Sequence, residues 1–199
     1  MKKQIVVISG GSAYETHDGY LQALKEKEIT LTRLRPGGWK MHLQSVLGDG
    51  YDILMPSMPC RDNAKYSEWK IMFEKIVPLL DEKVVCIGHS LGAIFLAKYL
   101  SEEKYQKEIK ALFLVAAPFN SIEKDPYVDF NIENDLSLLR EQVSDIYLYH
   151  SEDDQVVPFS HLSRYQELLP NARIRAFKDR GHFNENEFSE IIEDLKSLS

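Results

Sequence analysis

Short apolar runs alternate along this chain with longer stretches of helical periodicity, and most runs are apolar at every position rather than every second one. A strand needs that pattern when a parallel sheet is covered on both faces, because neither side of it meets water. The runs fall at 4–9, 52–55, 83–88, 110–117, 145–150 and 172–177. Helical patterns at 64–80, 91–104, 134–142, 160–169 and 185–198 separate them; in the last, Phe188, Ile191, Ile192, Leu195 and Leu198 recur at helical spacing. Strand and helix in succession imply right-handed crossovers and an α/β three-layer sandwich with a mostly parallel central sheet. No repeat, low-complexity tract or linker divides residues 1–199, so one domain is expected.

Residues 12–51 keep this rhythm less well. A helical pattern through Tyr20, Leu21 and Leu24 gives way to the alternating Ile29-Thr30-Leu31-Thr32-Arg33-Leu34, and Pro36-Gly37-Gly38 then breaks the chain. The alternation predicts a strand at a sheet edge.

Composition narrows the partners. With 44% hydrophobic residues in a chain of 199, a substantial core forms without disulfides or metals. The net charge, 24 − 31 = −7, disfavours nucleic acid. Of the two cysteines, Cys86 sits in the apolar run Val84-Val85-Cys86-Ile87 as a small hydrophobe, and a disulfide to Cys60 carries little weight. Met1-Lys2-Lys3 precedes only four apolar residues, Ile5 to Ile8, too few for a signal-peptide core. No stretch reaches the ~20 apolar residues of a membrane span. The expectation is a soluble cytoplasmic protein with no membrane partner, and no metal-ligand spacing or cofactor is indicated.

The sequence that carries chemistry is Gly88-His89-Ser90-Leu91-Gly92. A bare Gly-x-Ser-x-Gly is common by chance, so its context decides. A buried-strand pattern, Lys83 to Ile87, runs directly into it, and a helical pattern, Ala93 to Leu100, runs directly out. A serine hydroxyl is a poor nucleophile unless it is exposed, aimed and beside a base. A sharp strand-to-helix turn meets the first two needs by lifting Ser90 above the sheet, at the cost of a strained backbone. Gly88 and Gly92 then mark places where a side chain would collide. The same turn leaves the Leu91 amide at a helix N-terminus, where an oxyanion is favoured.

Such an elbow calls for an acid and a histidine later in the chain, each on a loop after a strand. The acid is expected after 145–150, where Glu152, Asp153 and Asp154 compete. Asp154 stands four residues before Pro158, in an Asp-x-x-Val-Pro arrangement, and is preferred; Asp153 is expected to face solvent or cap the loop. The histidine is expected between Phe177 and the final helix, which selects His182 in Gly181-His182-Phe183. An imidazole that titrates near neutrality can take the serine proton and later return it. Asp179 reads as a turn former. His89 reads as a packing residue of the elbow, His150 as the end of a strand and His161 as the opening of a surface helix. A second oxyanion donor is expected from Ser9-Gly10-Gly11-Ser12, with the Gly11 amide preferred and Ser12 behind it.

These residues resemble the small single-domain serine hydrolases related to retinoblastoma-binding protein nine. The matching pieces are Met55-Pro56-Ser57-Met58-Pro59 with Trp69 after it, Gly88 to Ile94, Ser151 to Pro158, and Gly181-His182-Phe183-Asn184 through Glu187-Phe188. The resemblance covers 52–199 and implies an α/β-hydrolase fold with at most a minimal lid, and a Ser90–His182–Asp154 triad. The Leu-x-Cys-x-Glu motif tied to retinoblastoma-protein contact in the animal relative has no counterpart. The expected substrate is a small ester or amide cleaved through an acyl-serine intermediate. Acyl transfer by the same triad, or a binding module that kept the fold without turnover, are the alternatives. The fold usually carries its lid between strand 110–117 and the next helix, and here residues 118–134 are too short for a helical cap. They carry Phe119, Tyr127 and Phe130, so the expectation is a shallow site with an aromatic wall, unless these rings pack on the sheet instead.

Overall fold

The computed structural model describes residues 2–35, 37–120, 128–133 and 135–198. In chain order the elements are β1 (Lys3–Ile8), α1 (His17–Glu26), α2 (Leu31–Leu34), α3 (Trp39–Leu47), β2 (Tyr51–Leu54), α4 (Tyr66–Ile76), β3 (Lys83–His89) and α5 (Leu91–Glu102). There follow β4 (Glu108–Val115), α6 (Ser137–Gln142), β5 (Val143–Ser151), α7 (Ser160–Leu168), β6 (Arg173–Phe177) and α8 (Ser189–Ser197). Among the described residues, no helix is long and apolar enough to cross a membrane.

The six strands form one sheet in the order β2-β1-β3-β4-β5-β6, with every neighbouring pair parallel. Apolar side chains alternate between its two faces along each central strand. Val84 and Cys86 of β3 join one core with Trp69 and Phe73 of α4, Leu96 of α5 and Leu162 of α7. Val85 and Ile87 join the other with Leu43 of α3 and Ile191 and Leu195 of α8. Helices on both faces make this a three-layer α/β sandwich. Both faces of the central strands are dry, which is why their sequences read as unbroken apolar runs.

The chain steps outward from β1 to β2 and then returns to the other side of β1 as β3. Such a reversal opens a crevice beyond the carboxyl ends of the two strands concerned. The loop after β1, Ser9 to Ser12, and the turn after β3 at Ser90 both lie there.

The alternation at 29–34 forms no strand. Leu31–Leu34 is a helical turn, closed by the Leu34 amide donating to the Thr30 carbonyl at 3.3 Å. The reason lies in what the side chains meet: Leu31 and Leu34 are 75% and 66% exposed, so the alternation has no buried face to supply. The sheet edge on this side is β2. What covers it is α3, whose Trp39, Leu43 and Leu47 recur every four residues and are all buried. That spacing was present in the sequence just beyond the Pro-Gly-Gly breaker. The two cysteines are free, Cys86 buried and Cys60 exposed.

Leu43 and Leu31 therefore carry opposite expectations. Leu43→Ala should destabilise the protein by about 2–5 kcal/mol through lost burial and a residual cavity. Leu31→Ala should change stability by no more than about 0.5 kcal/mol. Urea unfolding of the two variants checks the assignment.

Candidate active site

Strand β3 ends at His89 and helix α5 starts at Leu91, so the chain reverses within one residue. Ser90 makes that turn with φ 56° and ψ −124°, a region that non-glycine residues rarely occupy. Strain of this kind costs about 1–3 kcal/mol and persists only where surrounding contacts enforce it. Here the contacts are backbone to backbone. The Ser90 amide donates to the Val115 carbonyl at the end of β4 (2.9 Å), and the Ser90 carbonyl accepts from the Ala93 amide (2.8 Å).

The two glycines of the motif have concrete steric causes. A Cβ on Gly92 would stand 2.1 Å from the Ile8 carbonyl oxygen, and one on Gly88 would stand 2.5 Å from the Ala93 Cα. Neither obstacle is a side chain that could swing aside. The close approach lets α5 begin directly against the end of β1. The amide of Leu91, at the N-terminus of α5, has no intrahelical acceptor to satisfy it.

After β1, Gly10 lies against the elbow, where a Cβ would come 3.0 Å from the Ser90 Cβ. At Gly11 a Cβ would be only 2.3 Å from the Arg61 carbonyl oxygen. The Ser12 amide donates to that same carbonyl at 2.9 Å, so Ser12 is already committed and cannot act as an oxyanion donor.

His182 sits in the loop after β6, between Gly181 (φ 48°) and Phe183 (φ 52°). Its Nδ1 lies 2.8 Å from Asp154 Oδ2 and 3.1 Å from Oδ1. A carboxylate only accepts, so Nδ1 carries the proton and Nε2 is left as the basic nitrogen. The Asp154 side chain is 0% exposed and that of His182 is 11% exposed. Burial by itself would raise the Asp154 carboxyl. The hydrogen bond and charge of His182, together with the amides of Val157 and Val156, outweigh it and hold the group below its usual value. Asp153 turns the other way: it accepts from the Ser151 hydroxyl (2.5 Å) and the Gly181 amide (2.8 Å), tying the histidine loop to β5. Glu152 and Asp179 are exposed.

Ser90 and His182 line one cleft of about 590 Å³, within the range of small-molecule sites. The Ser9–Ser12 loop, α3 and the Met-Pro segment form its other walls. Asp154 is thus joined directly to His182, while the serine meets them across the cleft; among the described residues no hydrogen bond links Ser90 Oγ to the imidazole.

Three neighbours of the loop were not legible as such. Trp39 Nε1 donates to the Phe183 carbonyl (3.1 Å), and the Trp39 amide donates to the Glu185 carbonyl (2.8 Å). His89 is buried and does more than pack. Its Nε2 lies 2.8 Å from the His182 carbonyl oxygen, which can only accept, so Nε2–H donates. Its Nδ1 then accepts from Lys40 Nζ at 3.1 Å. Desolvation, helped by the Lys40 and His182 charges, holds the His89 imidazole well below its ordinary range and keeps it neutral. The sequence signal for α3 was its four-residue apolar spacing; nothing local in sequence pointed Lys40 at His89.

Of the aromatics in 118–134, Phe119 and Phe130 do not line the cleft and instead follow the alternative of inward packing. Phe119 packs edge-on against Tyr165 and Phe130 against Trp69, both in the core beneath α5 and α7. These rings gain more by leaving water fully than by lining a cleft. Tyr127 lies outside the described residues.

Comparison with known proteins follows the same lines. The serine hydrolase family matches residues 31–196. The chain is 27% identical over 201 residues to serine hydrolase RBBP9 of Rattus norvegicus, covering 99% of this chain and 95% of the rat protein. It is 24% identical over 144 residues to the putative hydrolase YdeN of Bacillus subtilis, covering 71% of this chain and 75% of that one. The crystal structure of the B. subtilis ydeN gene product superposes with a TM-score of 0.75 at 19% identity, covering 99% and 98% of the two chains. The meta-cleavage product hydrolase CumD of Pseudomonas fluorescens does so with 0.68 at 13% identity, covering 99% and 92%. At those identities the structures speak for the fold alone.

The depressed Asp154 carboxyl has a consequence for stability. Its folded-state pKa lies below the unfolded value of about 3.9, so its contribution is present above that value and lost as pH falls through the folded pKa. The stability gap between the wild type and Asp154→Asn should therefore shrink as pH falls below the unfolded value of about 3.9 in urea titrations. A gap that stays constant would show that Asp154 is not held by His182.

Proposed function

The chain belongs to the serine hydrolase family, and from that premise we propose that it cleaves a small ester or amide through an acyl-Ser90 intermediate. The observation that carries this reading is the buried Asp154 carboxylate on His182 Nδ1, which leaves Nε2 basic in the cleft that Ser90 enters from a strained turn. The strain supports a role for Ser90, since an unfavourable backbone at a cleft mouth is seldom kept without one.

In the proposed cycle, Ser90 Oγ attacks the scissile carbonyl carbon as His182 Nε2 takes its proton. Asp154 keeps the imidazole in the right tautomer and stabilises the imidazolium. The tetrahedral oxyanion accepts from the Leu91 amide at the N-terminus of α5 and, from the opposite loop, the Gly11 amide. The carbon–oxygen or carbon–nitrogen bond breaks, and the proton on Nε2 passes to the departing alkoxide or amine. Water then gives its proton to Nε2 and its oxygen to the acyl carbon, and Ser90 leaves with the proton restored.

A fluorophosphonate probe should label the wild type at Ser90, and Ser90→Ala should abolish labelling and lower kcat on p-nitrophenyl esters by on the order of 10³-fold or more. Asp154→Asn should lower kcat by about 10⁴-fold, because the amide favours the wrong tautomer of His182. Asp153→Asn should cost little, since its Oδ1 can still accept from Ser151 and Gly181. Adduct formation on another serine, with Ser90→Ala still active, would sink the assignment.

A further inference from the structure

We propose that Lys40 and Arg61 select substrates bearing a carboxylate, so that the preferred ester or amide is anionic away from its scissile bond. The proposal rests on the hydrolytic reading of Ser90 and adds to it the chemistry of the substrate.

Both residues line the cleft that holds Ser90 and His182, and among the described residues no acidic one lines it. That is unusual for this chain, in which acids outnumber bases 31 to 24. Several cations elsewhere do find carboxylates: Lys70 pairs with Glu103, Arg175 with Asp194, and Arg180 with Glu185 and Glu190. Lys40 and Arg61 form no ion pair among the described residues.

Each is held where it is by other means. Lys40 lies in the first turn of α3, its ammonium 3.1 Å from His89 Nδ1 and 5.1 Å from the centre of the Trp39 ring. Both partners are neutral, so they steer the ammonium without cancelling its charge. Arg61 follows Cys60, whose left-handed backbone (φ 44°) turns the chain after the Met-Pro segment. Its carbonyl is fixed by the Ser12 amide, and its Cγ would stand 2.9 Å from a Cβ on Gly11. The stem therefore lies against the glycine loop that faces the elbow.

Two cations kept close in a half-dry cleft destabilise each other. Burial, and then the charge of Arg61, bring the Lys40 ammonium down to about 8. An incoming carboxylate offsets that repulsion and supplies the anionic partner both groups lack, and a charge-assisted hydrogen bond to it is stronger there than in water. The neutral remainder of the wall, Met41, Met55, Met58 and Val156, suits the apolar body of the same molecule.

Two matched substrate pairs test this. Mono-p-nitrophenyl adipate against its terminal carboxamide places the charge on the acyl side. 4-Acetoxybenzoate against 4-acetoxybenzamide places it on the leaving group, with little change in reactivity. In the wild type, kcat/KM should favour the carboxylate by tenfold or more in at least one pair. That ratio should fall at least tenfold in Lys40→Met and in Arg61→Met, and it should fall with added salt. Reading the ratio cancels any effect that Lys40→Met has on turnover through His89, and Arg61→Met covers the case in which the first variant fails to fold. Equal rates within both pairs, or a ratio unmoved by both substitutions, would overturn the proposal while leaving the hydrolytic reading intact. Loss of fluorophosphonate labelling and of turnover on every ester would overturn both.

Discussion

The carbonyl of Ile8 and the first turn of α5 approach so closely that a single methyl group on residue 92 would part them. From that contact much of the site follows. It brings the end of β1 under the start of α5, forces the reversal at Ser90 into a strained conformation, and sets Gly10 against the elbow. Backbone atoms on both sides make the constraint rigid, because neither partner has a rotamer through which to yield. The strain at Ser90 is held by the dense packing around it: α5 is buried along nearly its whole length, from Leu91 to Leu100.

The histidine loop is fixed by a different logic, that of polar groups satisfied from several directions. Asp154 takes the His182 ring, and Asp153 and Ser151 take the backbone at Gly181 and Arg180. Trp39 takes the Phe183 carbonyl, and His89 takes that of His182 itself. Contacts from β3, α3, β5 and the loop after β5 thus converge on four residues, Arg180 to Phe183, two of which have positive φ. A loop so held presents one imidazole orientation, and orientation is what a general base must have before its proton affinity matters.

His89 links the two devices. It is the last residue of β3, one step before the strained serine, and it bridges the histidine loop to Lys40 on α3. The cationic wall of the cleft and the position of the imidazole therefore share a buried support. A residue that reads as filler in the elbow is the point at which charge in the cleft and geometry at His182 meet.

The sequence by itself determined the layers, the strand order in time, the elbow and the residues bound to it. Unbroken apolar runs can only be strands dry on both faces, and a glycine two residues either side of a serine between strand and helix leaves few alternatives. It also placed Asp154 and His182 on loops after β5 and β6, because their chain order follows from the topology. It misjudged 29–34, where alternation without a neighbouring edge has nothing to pair with, and it left open whether Phe119 and Phe130 wall the cleft or pack inward, which the core decided by burying both. Only the tertiary structure decided which aspartate meets the imidazole, that His89 supports it, and that Lys40 and Arg61 face the same cleft. Those outcomes depend on contacts between residues 28 to 93 positions apart, and local periodicity contains no information about where separate loops will meet.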